Sequence, residues 1–193
     1  MDYQEKTVLL KNGKTCVIRR TEEADAERMI EYVNVTAEET PFLGREPEEA
    51  SFTLEQEREI IRNMNAAERN ILLLAEVDGV HAGNANFSCV KDRARFRHRC
   101  GIGVGLYRAF WGMGVGTVLL EELLAAARTA GYEQVELEVL TSNQRGLALY
   151  RRMGFEERGR TPRAFRLRDG GYEDETMMIY RCPPPEQKGK QRQ

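Results

Sequence analysis

The sequence predicts an α/β (α+β) fold: a mixed, mostly antiparallel central sheet of about seven strands with helices on both faces. Three observations predict it. Short apolar stretches are punctuated by Asn12-Gly13 and Asp78-Gly79, dipeptides that supply the positive-φ turns antiparallel hairpins need. Other stretches repeat their apolar residues three and four apart, as helices do. The two kinds alternate as two strands, two helices, three strands, helix, strand, helix and two strands, an order that lets helices cover a sheet.

Taken in order, residues 7–10 and 15–19 pair around Lys11-Asn12-Gly13-Lys14. Residues 22–35 carry Ala26, Met29, Ile30 and Val33 at helical spacing. After the break at Thr40-Pro41-Phe42-Leu43-Gly44, residues 54–64 form a second helix with an acidic outer face. Residues 71–77 and 80–90 make the second hairpin. From residue 93 onward Arg93, Arg95, Arg97 and Arg99 occupy one parity and Phe96, His98, Cys100, Ile102, Val104 and Leu106 the other, which predicts one long strand with its later end near the sheet centre. Gly101, Gly103 and Gly105 continue the arginine parity, and glycine in a strand lets another group approach the backbone. Trp111-Gly112-Met113-Gly114-Val115-Gly116 feeds a helix over 117–130 with Leu120, Leu123, Leu124 and Ala127 inward, and Gly131 stops it. Residues 134–140 form a strand, Ser142 caps a short helix through Leu147, Leu149 and Tyr150, and 155–166 and 172–180 close the fold as a hairpin. Residues 1–182 read as a single domain and 183–193, opening with Pro183-Pro184-Pro185, as a disordered tail.

Composition narrows the function. The 193 residues leave room for one domain, and 41% hydrophobic with 31% charged residues is the balance of a soluble globular protein. Lys+Arg 29 against Asp+Glu 31 gives a net charge of −2, so no global field draws nucleic acid or an anionic membrane. Cys16, Cys89, Cys100 and Cys182 are scattered, and only two histidines accompany them; neither a disulfide framework nor a metal site is indicated. A polar start and the lack of an 18-residue apolar run point to a cytoplasmic protein.

The glycine-rich turn at 112–116 carries the most chemistry. A loop feeding a helix amino terminus presents unpaired N–H groups and the positive end of a dipole, which suits a phosphate. A plain structural turn is the competing explanation. The turn does not match the P-loop, since no lysine follows it, nor the full dinucleotide fingerprint.

The combination of motifs resembles the GNAT superfamily of N-acetyltransferases. Trp111 to Gly116 matches its Q/R-x-x-G-x-G/A turn ahead of a Leu-rich helix. Leu137-Glu138-Val139, Asn143, Leu149-Tyr150 and Gly154-Phe155 match its N-x-x-A-x-x-L-Y-x-x-x-G-F region, with Gly146 in place of alanine. The ending from Asp169 to Met178 is also similar, so the resemblance covers roughly residues 15–181. It implies acetyl-CoA as cosubstrate, no metal, and two central strands that splay to admit the pantetheine arm. Val104, Gly105 and Leu106 would offer backbone to that arm, with an N–H near Leu106 polarising the thioester. Gly112, Met113, Gly114, Val115, Gly116 and Thr117 would bind the pyrophosphate. Trp111 departs from the pattern, because an indole offers no positive charge, and it can equally be a sheet-edge aromatic.

The resemblance, to the ribosomal-protein N-terminal acetyltransferases in particular, also implies catalytic residues. Glu138, in a largely apolar strand, would be the general base, with burial raising its pKa; the alternative is a glutamate on an exposed face. Tyr150 would be the general acid, or else a core tyrosine. Asn143 would hydrogen-bond the pantetheine arm, or else cap its helix. His98 has a supporting role, and the lack of a Ser-His-Asp or Cys-His order favours direct transfer over an acyl-enzyme. The partner is an amine acceptor, either a small molecule or a peptide or protein amino group, and a homodimer is compatible. Carboxylates between Glu38 and Glu59 would favour a basic acceptor if they line the site; a solvated face is the plainer explanation. A non-catalytic acyl-CoA-binding regulator is the main rival, and Glu138 with Tyr150 argues against it.

Overall fold

Positive-φ turns set the hairpins. In the computed structural model, which describes residues 1–49 and 52–183, β1 (Lys6–Leu9) and β2 (Thr15–Arg20) are joined through Gly13 at φ 81°. β3 (Ile71–Val77) and β4 (Val80–Cys89) turn at Asp78 and Gly79, with φ of 49° and 80°. The two positive values are those of a type I′ turn, whose twist matches that of the strands. Between the hairpins lie α1 (Ala26–Glu39) and α2 (Leu54–Ala66), the latter opened by a Thr53–Gln56 capping box. Then follow β5 (Arg99–Leu106), α3 (Val115–Thr129), β6 (Gln134–Leu140), α4 (Gln144–Arg152), β7 (Glu156–Arg166) and β8 (Tyr172–Arg181). The tail expected over 183–193 lies outside the described residues from Pro184 onward.

Eight strands, the number in the expected element order, form one sheet in the order β1-β2-β3-β4-β5-β6-β8-β7. β3 explains why helices lie on both faces. Its Ile71, Leu73, Ala75 and Val77 join the core under α3, while Leu72 and Leu74 meet Met29 of α1 and Ile61 of α2. Leu119, Leu120 and Leu123 of α3 are fully buried, each contributing about 1.5–3 kcal/mol by leaving water.

Two local expectations need correction. The strand predicted from Arg93 begins at Arg99, and Ala94–Phe96 is a 3₁₀ turn. β4 has ended at Cys89, so the chain beyond it has no strand to pair with; Lys91 and Arg99 instead stand over the Phe96 ring. Ser142 does not cap α4. Asn143 is the N-cap, its side-chain oxygen accepting the Gly146 N–H at 2.9 Å.

The pairing that positions the site is β5 with β6, the sheet's parallel pair. It covers Arg99–Gln134, Cys100–Val135 and Gly101–Glu136, and then stops. Past those rungs the two strands part, β5 staying with β4 and β6 with β8.

Candidate active site

Backbone parity decides what the parted edge of β5 offers. Tyr107 N–H donates to the Ala82 carbonyl and Val90 N–H to the Arg99 carbonyl, so in this antiparallel ladder the odd residues of β5 turn their peptide groups to β4. On the other side Gln134 N–H donates to the His98 carbonyl, which marks the even residues as facing β6. Ile102, Val104 and Leu106 therefore present backbone to the gap. The expectation for Gly105 is corrected: its peptide groups pair with Asn84 of β4. It matters for its missing side chain, since a Cβ there would run into the Tyr32 hydroxyl of α1. Ile102 was missed, although its i, i+2 relation to Val104 signals it. His98 lies exposed before the strand, away from the open edge.

The glycine turn sits at the end of that edge. Gly112 and Gly114 hold φ of 79° and 94°, and Gly114 is the N-cap of α3. Only glycine adopts such angles without cost, and nothing lies within 4 Å of where a Cβ would stand on either. The Val115 and Gly116 N–H groups at the start of α3 have no intrahelical acceptor, whereas Thr117 N–H donates to the Gly114 carbonyl at 3.0 Å. A diphosphate fits this open, donor-rich turn, and a pantetheine arm fits the free edge of β5. Gly116 also has a packing role. It is buried, and its Cβ would meet Leu106 and Leu149 at 3.4 Å, so it lets α3 settle against β5 and α4. Met113 and Thr117 are half-buried and Val115 fully buried at the same turn.

A valine at Gly114 is expected to cost about 1–2 kcal/mol through the left-handed angle alone, lowering the melting temperature by about 2–8 °C. It should also weaken acetyl-CoA binding at least about 10-fold. Calorimetry on the folded variant checks both, and unchanged affinity would remove the turn from the phosphate site.

Trp111 is half-buried and anchored, its indole N–H donating to the Leu106 carbonyl at 3.0 Å. Of the even-parity groups, that carbonyl is thus already taken. Asn143 spends its carbonyl oxygen on the cap and keeps its amide N–H₂ for another acceptor. The departure at Gly146 has a cause: a Cβ there would stand 2.8 Å from the Asn143 side-chain nitrogen.

Tyr150 points its ring edge toward Phe155, with centroids 5.7 Å apart. Its hydroxyl has no hydrogen-bond partner among the described residues, and burial pushes its pKa up to about 12. It therefore remains a proton donor across the physiological range. Glu138 departs from expectation. Val135, Leu137 and Val139 of β6 point into the core, whereas Glu138 lies on the opposite face and is exposed. Its cross-strand partner on β8 is Met177, and two rungs on, opposite Leu140, stands Glu175, whose pKa is raised by burial and by the negative charge of Glu138.

Most carboxylates between Glu38 and Glu59 are solvated, as the plainer explanation held; Glu57 is buried and its pKa is raised by that burial. Glu46 and Glu48 pair with Arg168 of the β7–β8 turn.

Residues 31–155 match the acetyltransferase (GNAT) family. The N-alpha-acetyltransferase RimI of Mycobacterium tuberculosis is 34% identical over 145 residues, covering 75% of this chain and 80% of that protein. A GNAT-family acetyltransferase from Streptococcus pneumoniae superposes with a TM-score of 0.82 at 28% identity, over 86% of this chain and 99% of that one. A ribosomal-protein-alanine N-acetyltransferase from Brucella melitensis gives 0.76 at 27% identity, over 85% and 98%. With the parted strands and the glycine turn already in place, these matches establish that the chain belongs to the acetyltransferase (GNAT) family and is an acetyl-CoA-dependent N-acetyltransferase.

Proposed function

We propose that the chain acetylates the α-amino group of a peptide or protein by direct attack of the amine on the acetyl-CoA thioester. The observation that carries the reading is the position of Glu138, two residues past the last β5–β6 rung, on the stretch of β6 facing the free edge of β5. The amine nitrogen bonds to the thioester carbon and gives its proton to Glu138. The oxyanion is met by the Leu106 N–H. As the C–S bond breaks, the sulfur takes the electron pair and a hydrogen bond or proton from Tyr150. Asn143 and the even-parity backbone of β5 hold the arm, and the 112–117 turn holds the pyrophosphate.

An α-amino acceptor is supported by the activities named for the RimI and ribosomal-protein-alanine relatives. The exposure of Glu138 also suits a polypeptide end. A cytoplasmic setting is part of the same reading, supported by four free thiols, Cys16, Cys89, Cys100 and Cys182. The test is a panel of amino-terminal peptides, lysine peptides and small amines with acetyl-CoA, read by thiol release and by mass-spectrometric mapping of the acetylated nitrogen. Turnover should appear with free amino termini and vanish when they are blocked. Turnover confined to small amines would overturn the acceptor.

A further inference from the structure

Position 111 offers no charge to a pyrophosphate, yet two guanidinium groups stand over the ring found there. Arg108 lies 5.6 Å and Arg145 5.5 Å from the Trp111 ring, within the roughly 6 Å at which a ring face attracts a cation. The indole itself is fixed to the end of β5 by its bond to the Leu106 carbonyl.

The two arginines differ in what else they hold. Arg108 is committed to α1: its backbone N–H donates to the Glu39 carboxylate at 2.7 Å and its guanidinium to the Glu39 carbonyl. Arg145 is exposed and makes no hydrogen bond or ion pair with any described residue. It is the second residue of α4, and α4 lies against the first turn of α3. Leu149 faces Gly116, and the Arg152 guanidinium donates to the Thr117 hydroxyl at 3.1 Å. Trp111 thus parks an uncommitted guanidinium beside the 112–116 turn.

We propose that Arg145 binds the pyrophosphate of acetyl-CoA and that Trp111 is its positioning residue. The proposal rests on acetyl-CoA as the cosubstrate. A guanidinium presents its donors in a planar fork that matches phosphate oxygens. Stacking on a fixed ring restricts the side chain before the ligand arrives, which lowers the ordering cost of binding. The positive charge that a basic residue at 111 would provide comes instead from α4, across the turn.

Calorimetric titration with three probes tests this: CoA, dephospho-CoA, which lacks the 3′-phosphate, and pantetheine, which lacks the pyrophosphate. Arg145→Ala should weaken CoA and dephospho-CoA alike by about 10- to 100-fold, as loss of a charge-assisted contact does, and leave pantetheine unaffected. Arg145→Lys should recover part of the loss. Trp111→Leu should weaken CoA on its own but add nothing in the Arg145→Ala background, because coupled residues are not additive. Unchanged CoA affinity in Arg145→Ala would overturn the assignment. A loss confined to CoA, sparing dephospho-CoA, would overturn it in favour of a 3′-phosphate contact. A further loss on adding Trp111→Leu would overturn the positioning role. Failure of the unaltered protein to bind CoA would instead remove the cosubstrate, and this proposal with it.

Discussion

Replacing Glu138 with glutamine is expected to lower the acetylation rate at saturating substrates about 10²- to 10⁴-fold, the span over which positioned acid–base groups act. Glutamine keeps the shape and loses the ability to take a proton, and Glu138 is exposed, so the fold should survive. The same variant has a stability signature of the opposite sign. Glu175 carries a raised pKa, caused by burial and by the charge of Glu138. A carboxyl raised in the folded state contributes stability that is lost as pH climbs through its folded pKa. Removing the neighbouring charge lowers that pKa, so Glu138→Gln should be slightly more stable than the parent at neutral pH. A variant with the parental rate would show that the amine loses its proton elsewhere.

Tyr150→Phe is expected to lower turnover about 10- to 10³-fold, equivalent to about 1.4–4 kcal/mol of transition-state stabilisation, with little change in acetyl-CoA affinity. The ring stays and keeps its edge contact with Phe155; only the hydroxyl goes. With its pKa pushed up to about 12 by burial, the phenol is a poor full proton donor to a thiol of ordinary pKa near about 8.5. On the proposed mechanism, a hydrogen bond to the departing sulfur is the expected contribution. Since the phenol stays protonated, Tyr150 should add no alkaline limb to the pH–rate profile below about pH 10, the ordinary tyrosine value. Single-turnover measurement of thiol release in the folded variant checks the effect. An unchanged chemical step would return Tyr150 to the core.

What the sequence determined by itself were features written in a few neighbouring residues. Asn12-Gly13 and Asp78-Gly79 turn where expected because positive φ is a property of the dipeptide. β6 runs from Gln134 to Leu140 as its pattern said, and Gly114 caps α3 in the left-handed angle that its lack of a side chain permits. The family motifs pointed to acetyl-CoA chemistry.

The tertiary structure decided everything that depends on a partner distant in the chain. The arginine alternation from 93 to 97 mimicked a strand, but a strand needs a neighbour and β4 had ended at Cys89. Glu138 sits in an apolar run, yet it is exposed, on the face of β6 opposite the one that Val135, Leu137 and Val139 bury in the core. Gly114 and Gly116 look equivalent in sequence; one is needed for its dihedral angle, the other for its packing against Leu106 and Leu149. Which backbone groups of β5 face the gap is set by the register with β4, a relation between residues 80–89 and 99–106 that local pattern does not contain. The stacking of Arg145 on Trp111 joins a loop after β5 to a helix after β6. Side-chain identity and backbone propensity are local, whereas hydrogen-bond parity, burial and charge pairing are properties of the register and packing that bring distant segments together.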